Sequence, residues 1–98
     1  MGQTLARVDE AKVQQARVMA ERKEYDKAIA QIRALLDERP NTPAKDTAML
    51  QLAAIYGDQG DIERARKILE PYAANERHPL SGEATYQLAE LTARNANF

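Results

Sequence analysis

Apolar and polar positions along this chain recur with helical period. The clearest run is Met49-Leu50-Gln51-Leu52-Ala53-Ala54-Ile55-Tyr56, in which Met49, Leu52, Ala53 and Tyr56 are spaced three, one and three apart and so share one stripe of an α-helix. Gly57-Asp58-Gln59-Gly60-Asp61 follows, and the run from Ile62 to Tyr72 then places Ala65, Leu69 and Tyr72 on a second stripe. Two stripes joined by a short glycine turn predict an antiparallel helical hairpin. Ala53 and Ala65 would let its backbones approach while Met49, Leu52, Tyr56 and Leu69 fill the space around them.

The same logic places the other helices. A first helix is expected from about Leu5 to Arg22, with Thr4 as its N-cap and Val8, Ala16 and Met19 as its buried stripe. Lys23 and Glu24 occupy a turn, and a second helix runs from Tyr25 to about Glu38, stopping ahead of Pro40. Thr42 and Pro43 read as the start of a third helix ending near Asp58. Asp61 is placed to cap a fourth helix to about Asn75, kinked at Pro71, which removes one helical hydrogen bond. Ser81 is placed to cap a fifth, from about Gly82 to Asn95.

These helices repeat. A shift of 37 residues carries Ala28 onto Ala65, Met19 onto Tyr56 and Ala16 onto Ala53, and a shift of 36 carries Leu52 and Ala53 onto Leu88 and Ala89. Gln15 and Lys12 stand where the second copy has Leu52 and Met49, as expected of a terminal copy. Met49, Leu52, Ala53, Tyr56, Ala65 and Leu69 match the spacing W-x-x-L-G-x-x-Y, then A-x-x-x-F, of the tetratricopeptide repeat, which this chain resembles. The resemblance implies an all-α fold of antiparallel hairpins in a right-handed α-solenoid of about five helices. Repeat one would cover residues 5–40, repeat two 43–78, and a partial repeat or capping helix 81–98.

Composition narrows the class. The chain has 98 residues, 44% of them hydrophobic and 30% charged, with five aromatics and a net charge of -1. That fits one soluble helical domain and gives no electrostatic argument for nucleic acid or an anionic membrane. There is no cysteine, so disulfides and thiolate metal sites are excluded. The longest apolar-rich run, Ala48 to Tyr56, is too short to span a bilayer, so no membrane insertion is expected. The N-terminus carries no signal peptide or myristoylation pattern. The sequence does not assign a compartment: the cytoplasm fits, as does the bacterial periplasm if an export signal or anchor has been removed.

Candidate chemistry is sparse. His78, the only histidine, reads as a solvent-exposed loop residue without the further ligands a metal needs, and Ser81, the only serine, as a helix cap rather than a nucleophile. The close acid pairs Asp9-Glu10, Asp37-Glu38 and Glu21-Glu24 read as solvated helix faces rather than acid/base machinery. No phosphate loop, dinucleotide fingerprint or metallohydrolase motif is present, so neither cofactor, metal nor catalytic residue is assigned. Acids interleave the basic cluster Arg64, Arg66 and Lys67, which argues against a nucleic-acid patch.

The family resemblance implies a groove instead, lined by the first helices of successive repeats. Its residues would be Glu10, Val13, Arg17 and Ala20 in the first copy, then Thr47, Leu50, Ala54 and Asp58, then Glu83, Tyr86, Glu90 and Arg94. Leu50 and Tyr86 either contact a ligand or pack between neighbouring helices. The Lys and Asn clamp by which some members hold a chaperone's terminal carboxylate is absent, with Val13, Arg17, Glu83 and Gln87 in its place. The expectation is a non-enzymatic protein-interaction scaffold that holds a peptide or partner protein and belongs to a longer array. Two alternatives stand beside it. One is a dimerisation module using the C-terminal helix, where Leu88 and Leu91 would lack cover on the far side and Phe98 would need burial. The other is a regulatory segment of a larger enzyme or of a bacterial envelope assembly or export machine.

Overall fold

A computed structural model describes the backbone of residues 2–96 and the side chains of residues 7–94. Phe98, and any contact it makes with Leu88 or Leu91, lies outside the described residues. Five helices follow one another: α1 (Gly2–Glu21), α2 (Tyr25–Glu38), α3 (Lys45–Gln59), α4 (Ile62–Ala74) and α5 (Ser81–Ala96), with no strand among the described residues. α1 packs on α2, α3 on α4 and α4 on α5, while α1 and α5 both touch α3. The molecule measures 48 × 33 × 17 Å, and its smallest extent suits two layers of helices. The core is built on most of the expected stripe positions, joined by Ile32 and Leu35 of α2. Ala16, Ala28, Ile32, Leu35, Ala53, Tyr56, Ala65 and Leu69 are all buried, with Met19 and Tyr72 packed against them.

The turns show the 37-residue shift at atomic detail. At the end of α3, Gly60 adopts φ 92, its N–H donates to Gly57 O (3.1 Å) and the Asp61 N–H donates to Tyr56 O (2.8 Å). This left-handed glycine closure satisfies the carbonyls that a helix end leaves free. Lys23 takes the same place after α1, with φ 65, donating to Ala20 O (2.9 Å) while Glu24 donates to Met19 O (2.9 Å). A side chain there crowds the backbone at a cost of about 1 kcal/mol. Lys23→Gly should therefore raise the stability of the domain by roughly that amount, read as a higher urea midpoint at unchanged slope; an unchanged or lower midpoint would show that the lysine turn is unstrained.

Several local expectations need correction. α1 opens at Gly2, so Thr4 lies inside it rather than at its cap. Val8 is 41% exposed, and the buried stripe of α1 is Asp9, Val13, Ala16 and Ala20. α3 begins two residues later than Pro43 because Pro43 and Ala44 form a turn of their own, in which the Thr42 hydroxyl accepts from the Ala44 N–H (3.2 Å). Asp61 caps α4 as expected, accepting from the Arg64 N–H (3.3 Å). That helix continues through Pro71 to Ala74. Ser81 is the first residue of α5 and not its side-chain cap; its hydroxyl donates to Ala73 O (3.4 Å), a carbonyl left free at the end of α4.

Two polar clusters hold the loops. Asp9, only 1% exposed, accepts from the Thr42 hydroxyl (2.5 Å) and faces Arg39 across 2.9 Å, which ties α1 to the α2–α3 loop. Asp9 Oδ1 and Arg39 Nη1 make no aligned hydrogen bond despite that distance, so charge attraction carries the contact. The reading of Asp9 as a solvated acid is thus overturned, because the register that buries Val13 and Ala16 puts Asp9 on the same face. His78 is likewise not an exposed loop residue. Its Nδ1 accepts from the Leu80 N–H (3.0 Å), which leaves Nε2 to donate to Asp46 (3.0 Å), and its ring meets Tyr72 edge-on at 5.0 Å. The Tyr72 hydroxyl donates to the other Asp46 oxygen (2.7 Å), so α3, α4 and the α4–α5 loop share one carboxylate.

That carboxylate and phenol shift in opposite directions. The hydrogen bond from Tyr72, helped by His78, holds Asp46 below its ordinary 3.8 against the opposing effect of burial. Burial first, and then the bond to Asp46, push Tyr72 up from 10.0 to about 12. Folding favours neutral Tyr72, so its stabilisation is whole below pH 10 and is lost as pH rises from there towards about 12. Asp46 acts on the acid side, where its contribution is present above 3.8 and is lost as pH falls below it. In alkaline melts Tyr72→Phe should flatten the loss of stability above pH 10; an unchanged alkaline limb would place that loss elsewhere.

Candidate functional site

α1, α3 and α5 lie side by side because each packs its apolar stripe onto a neighbouring helix, and this leaves their polar stripes to line two hollows between them. Each stripe advances by four, three and four residues, which keeps it on one helix face. The stripe of α1 is Glu10, Gln14, Arg17 and Glu21; that of α3 is Thr47, Gln51, Ala54 and Asp58; that of α5 is Glu83, Gln87, Glu90 and Arg94. The second follows the first by 37 residues and the third follows by 36, so the repeat sets the three stripes in matching register.

A groove of about 430 Å³ runs between them, lined by Arg17, Ala20 and Glu21 of α1, Gln51, Ala53, Ala54, Gly57 and Asp58 of α3, and Glu83, Gln87, Glu90, Leu91 and Arg94 of α5. A second hollow of about 510 Å³ lies towards the start of α1 and α3, where Glu10, Val13, Gln14 and Thr47 are among its lining. The floor of the first groove is made of small residues. Gly57 is buried in helix α3, and a Cβ built on it would stand 2.9 Å from Leu91 Cδ2. The missing side chain is what lets Leu91 of α5 seat against α3.

Of the residues expected in the groove, Arg17, Ala54, Asp58, Glu83, Glu90 and Arg94 line the first hollow and Glu10, Val13 and Thr47 the second. Val13 and Leu50, equivalent under the 37-residue shift, are only 3% and 4% exposed. Both are packed in the core. Tyr86 holds the corresponding place in α5 and is 64% exposed; among the described residues no helix lies beyond α5 to cover it. Leu91 is buried within the chain and Leu88 packs against the core, so the expectation that both lack cover is corrected. Thr85, Ala89 and Thr92 on the outer side of α5 are exposed.

Two arginines and four carboxylates line the first groove. Arg17 pairs with Glu21 (3.7 Å), and Arg94 with Asp58 (3.5 Å) and Glu90 (3.9 Å), all with roughly half or more of each side chain in solvent. Exposed pairs of this kind contribute little, about 0–1 kcal/mol each, so an incoming ligand can exchange them at small cost. The groove therefore carries an excess of negative charge that the whole-chain balance of -1 conceals.

The glutamines were not anticipated. Gln14, Gln51 and Gln87 occupy the same place in the three stripes, whereas the other three places vary in charge and size from one copy to the next. Carrying the repeat shift one residue past Val13, Leu50 and Tyr86 would have found them.

Among the described residues no group of three or more His, Asp or Glu side chains could hold a metal ion. No helix among them is long and apolar enough to cross a membrane. No curated protein and no solved structure matches the chain. The family model for the tetratricopeptide repeat-like domain matches residues 4–91, from α1 to the last turns of α5. With the hairpins, the shared core positions and a match over most of its length, the chain belongs to the tetratricopeptide repeat-like domain family.

Proposed function

We propose that this chain is a non-enzymatic interaction module that holds a segment of a partner protein in the groove between α1, α3 and α5, as part of a longer array. Repeats of this family are generally scaffolds without catalytic activity, and a protein-interaction role is typical of them. The observation that carries the reading is a groove whose walls come from α1, α3 and α5 together, with a floor of small residues. The uncovered outer side of α5 supports the array.

The test uses peptides selected on the protein from a random 12-residue display library. Ala54→Arg, which fills the groove from a half-buried position, should weaken their binding by about tenfold or more, equivalent to ~1.4 kcal/mol. Lys67→Glu, on the exposed side of α4, should leave binding unchanged. The opposite pattern would place the binding face elsewhere.

Self-association through α5 is a second reading, favoured by the exposure of Tyr86. Sedimentation over a hundredfold range of concentration separates the two, since a dimer dissociates on dilution and Tyr86→Ala would abolish it.

A further inference from the structure

We infer that the outer face of α1 docks on the same face of a second copy of this chain, the two helices pairing antiparallel about a two-fold axis at the level of Val13. The repeat shows that this face is built to be covered. Ala11, Gln15 and Val18 correspond to Ala48, Leu52 and Ile55 of α3 and to Ala84, Leu88 and Leu91 of α5. In those later copies the helix packs on the preceding hairpin, α3 on α1 and α2, α5 on α3 and α4, and all six residues are buried except Leu88, which is partly so. In α1 all three are exposed, as is Val8 on the same stripe. Among the described residues only three large hydrophobic side chains are exposed, and two of them are Val8 and Val18. None of the four lines the groove between α1, α3 and α5, so docking here leaves that groove open.

The spacing suits a single helix as the occupant. Val8, Ala11, Gln15 and Val18 are three, four and three apart, the a and d places of a two-stranded coil. Where a hairpin of the same chain covers this face the central residue is Leu52 or Leu88, whereas α1 has Gln15. One polar residue in such a seam weakens the pair but fixes its register. In the antiparallel register Val8 meets Val18 of the second copy and Gln15 meets Ala11, whose small side chain leaves room for the amide. The Gln15 oxygen already accepts from Gln31 of α2 (3.2 Å), so it enters the seam partly satisfied. α1 is held as a helix by α2 and α3, and a preformed helix has little left to order on pairing.

Charge decides the direction. Arg7 and Glu21 flank the stripe on one side, near its two ends, and an antiparallel pair sets Arg7 of each copy beside Glu21 of the other. Within the chain Glu21 has only the exposed, 3.7 Å pair with Arg17, which it can exchange at small cost. A parallel pair would instead set Arg7 beside Lys12 of the other copy, like charge against like. Lys12 meets its own copy across the antiparallel axis, so Lys12→Gln should tighten the pair.

Sedimentation of the full chain over a hundredfold range of concentration tests this, with every variant checked for folding by circular dichroism. The expected result is a monomer–dimer equilibrium that Val18→Asp abolishes and Tyr86→Ala leaves unchanged. Gln15→Leu, which gives the seam the leucine of the covered copies, should tighten it about tenfold. Arg7→Glu should weaken it, and adding Glu21→Arg should restore it. The chain has no cysteine, so paramagnetic labels on Arg22→Cys report the direction: they should stand roughly 27 Å apart along an antiparallel pair, against about 10 Å across a parallel one. A dimer that Tyr86→Ala abolishes and Val18→Asp does not would overturn the inference and assign self-association to α5. Labels at the parallel separation, or a monomer at every concentration, would overturn it as well, and neither outcome bears on the groove.

Discussion

Arg39→Ala should be the most damaging truncation of any charged side chain in the protein, costing about 3–5 kcal/mol. Arg39 is the cation opposite Asp9, whose side chain is 1% exposed against 32% for the arginine. Removing the arginine leaves a buried carboxylate with the Thr42 hydroxyl as its one donor. The reciprocal change, Asp9→Ala, leaves a guanidinium already a third in solvent, so it should cost less. Small domains hold about 5–15 kcal/mol in all, and at this size the predicted loss lowers Tm by roughly 15–30 °C. The pair is not a source of stability in itself. Replacing both partners by apolar residues of similar volume, as in Asp9→Leu with Arg39→Met, should recover most of the loss. Melting curves of the three variants decide the matter, and an Arg39→Ala protein within about 0.5 kcal/mol of wild type would mean the carboxylate reaches water by another route.

Leu69→Ala should cost about 2–5 kcal/mol, the range for deleting a fully buried leucine. Leu69 has no exposed surface and neither does Ile32, its counterpart 37 residues earlier. The residues around Leu69 come from helices braced on both sides, since α4 packs against α3 and α5. The site has little room to collapse, so most of the cavity should persist and the loss should fall in the upper half of that range. Ile32→Ala should cost a similar amount, because α2 is likewise packed against a helix on either side, α1 and α3. Urea unfolding of both variants provides the measurement, and a loss below about 1 kcal/mol in Leu69→Ala would show that the hairpin repacks without it.

The hairpins were legible because their determinants are local. Gly60, Pro40 and Pro43 mark the turns, and the alanine, leucine and tyrosine stripes mark the faces that meet. What escaped was settled by residues far away in the chain. Nothing near Asp9 announces Arg39 or Thr42, each thirty or more positions on, although the register 9, 13, 16 and 20 already placed Asp9 on the buried face of α1. His78 sits in a polar loop by sequence, and only the fold brings Asp46 beneath it. Ser81 looks like a cap and instead serves the helix before it. The groove was placed by analogy with the family, and two of the positions so chosen, Val13 and Leu50, are buried in the core because neighbouring helices pack over them. Gln14, Gln51 and Gln87 were visible in the repeat and missed because the family analogy picked out the residue before each, Val13, Leu50 and Tyr86.

The central claim is that the concave side of α1, α3 and α5 is the binding face, and amide chemical-shift mapping with a library-selected peptide tests it most directly. The account predicts that perturbed amides cluster at Arg17, Gln51, Ala54, Asp58, Gln87 and Glu90, with α2 and the exposed side of α4 silent. Perturbations centred on α2 and α4, with Gln51 and Ala54 unmoved at saturation, would contradict it.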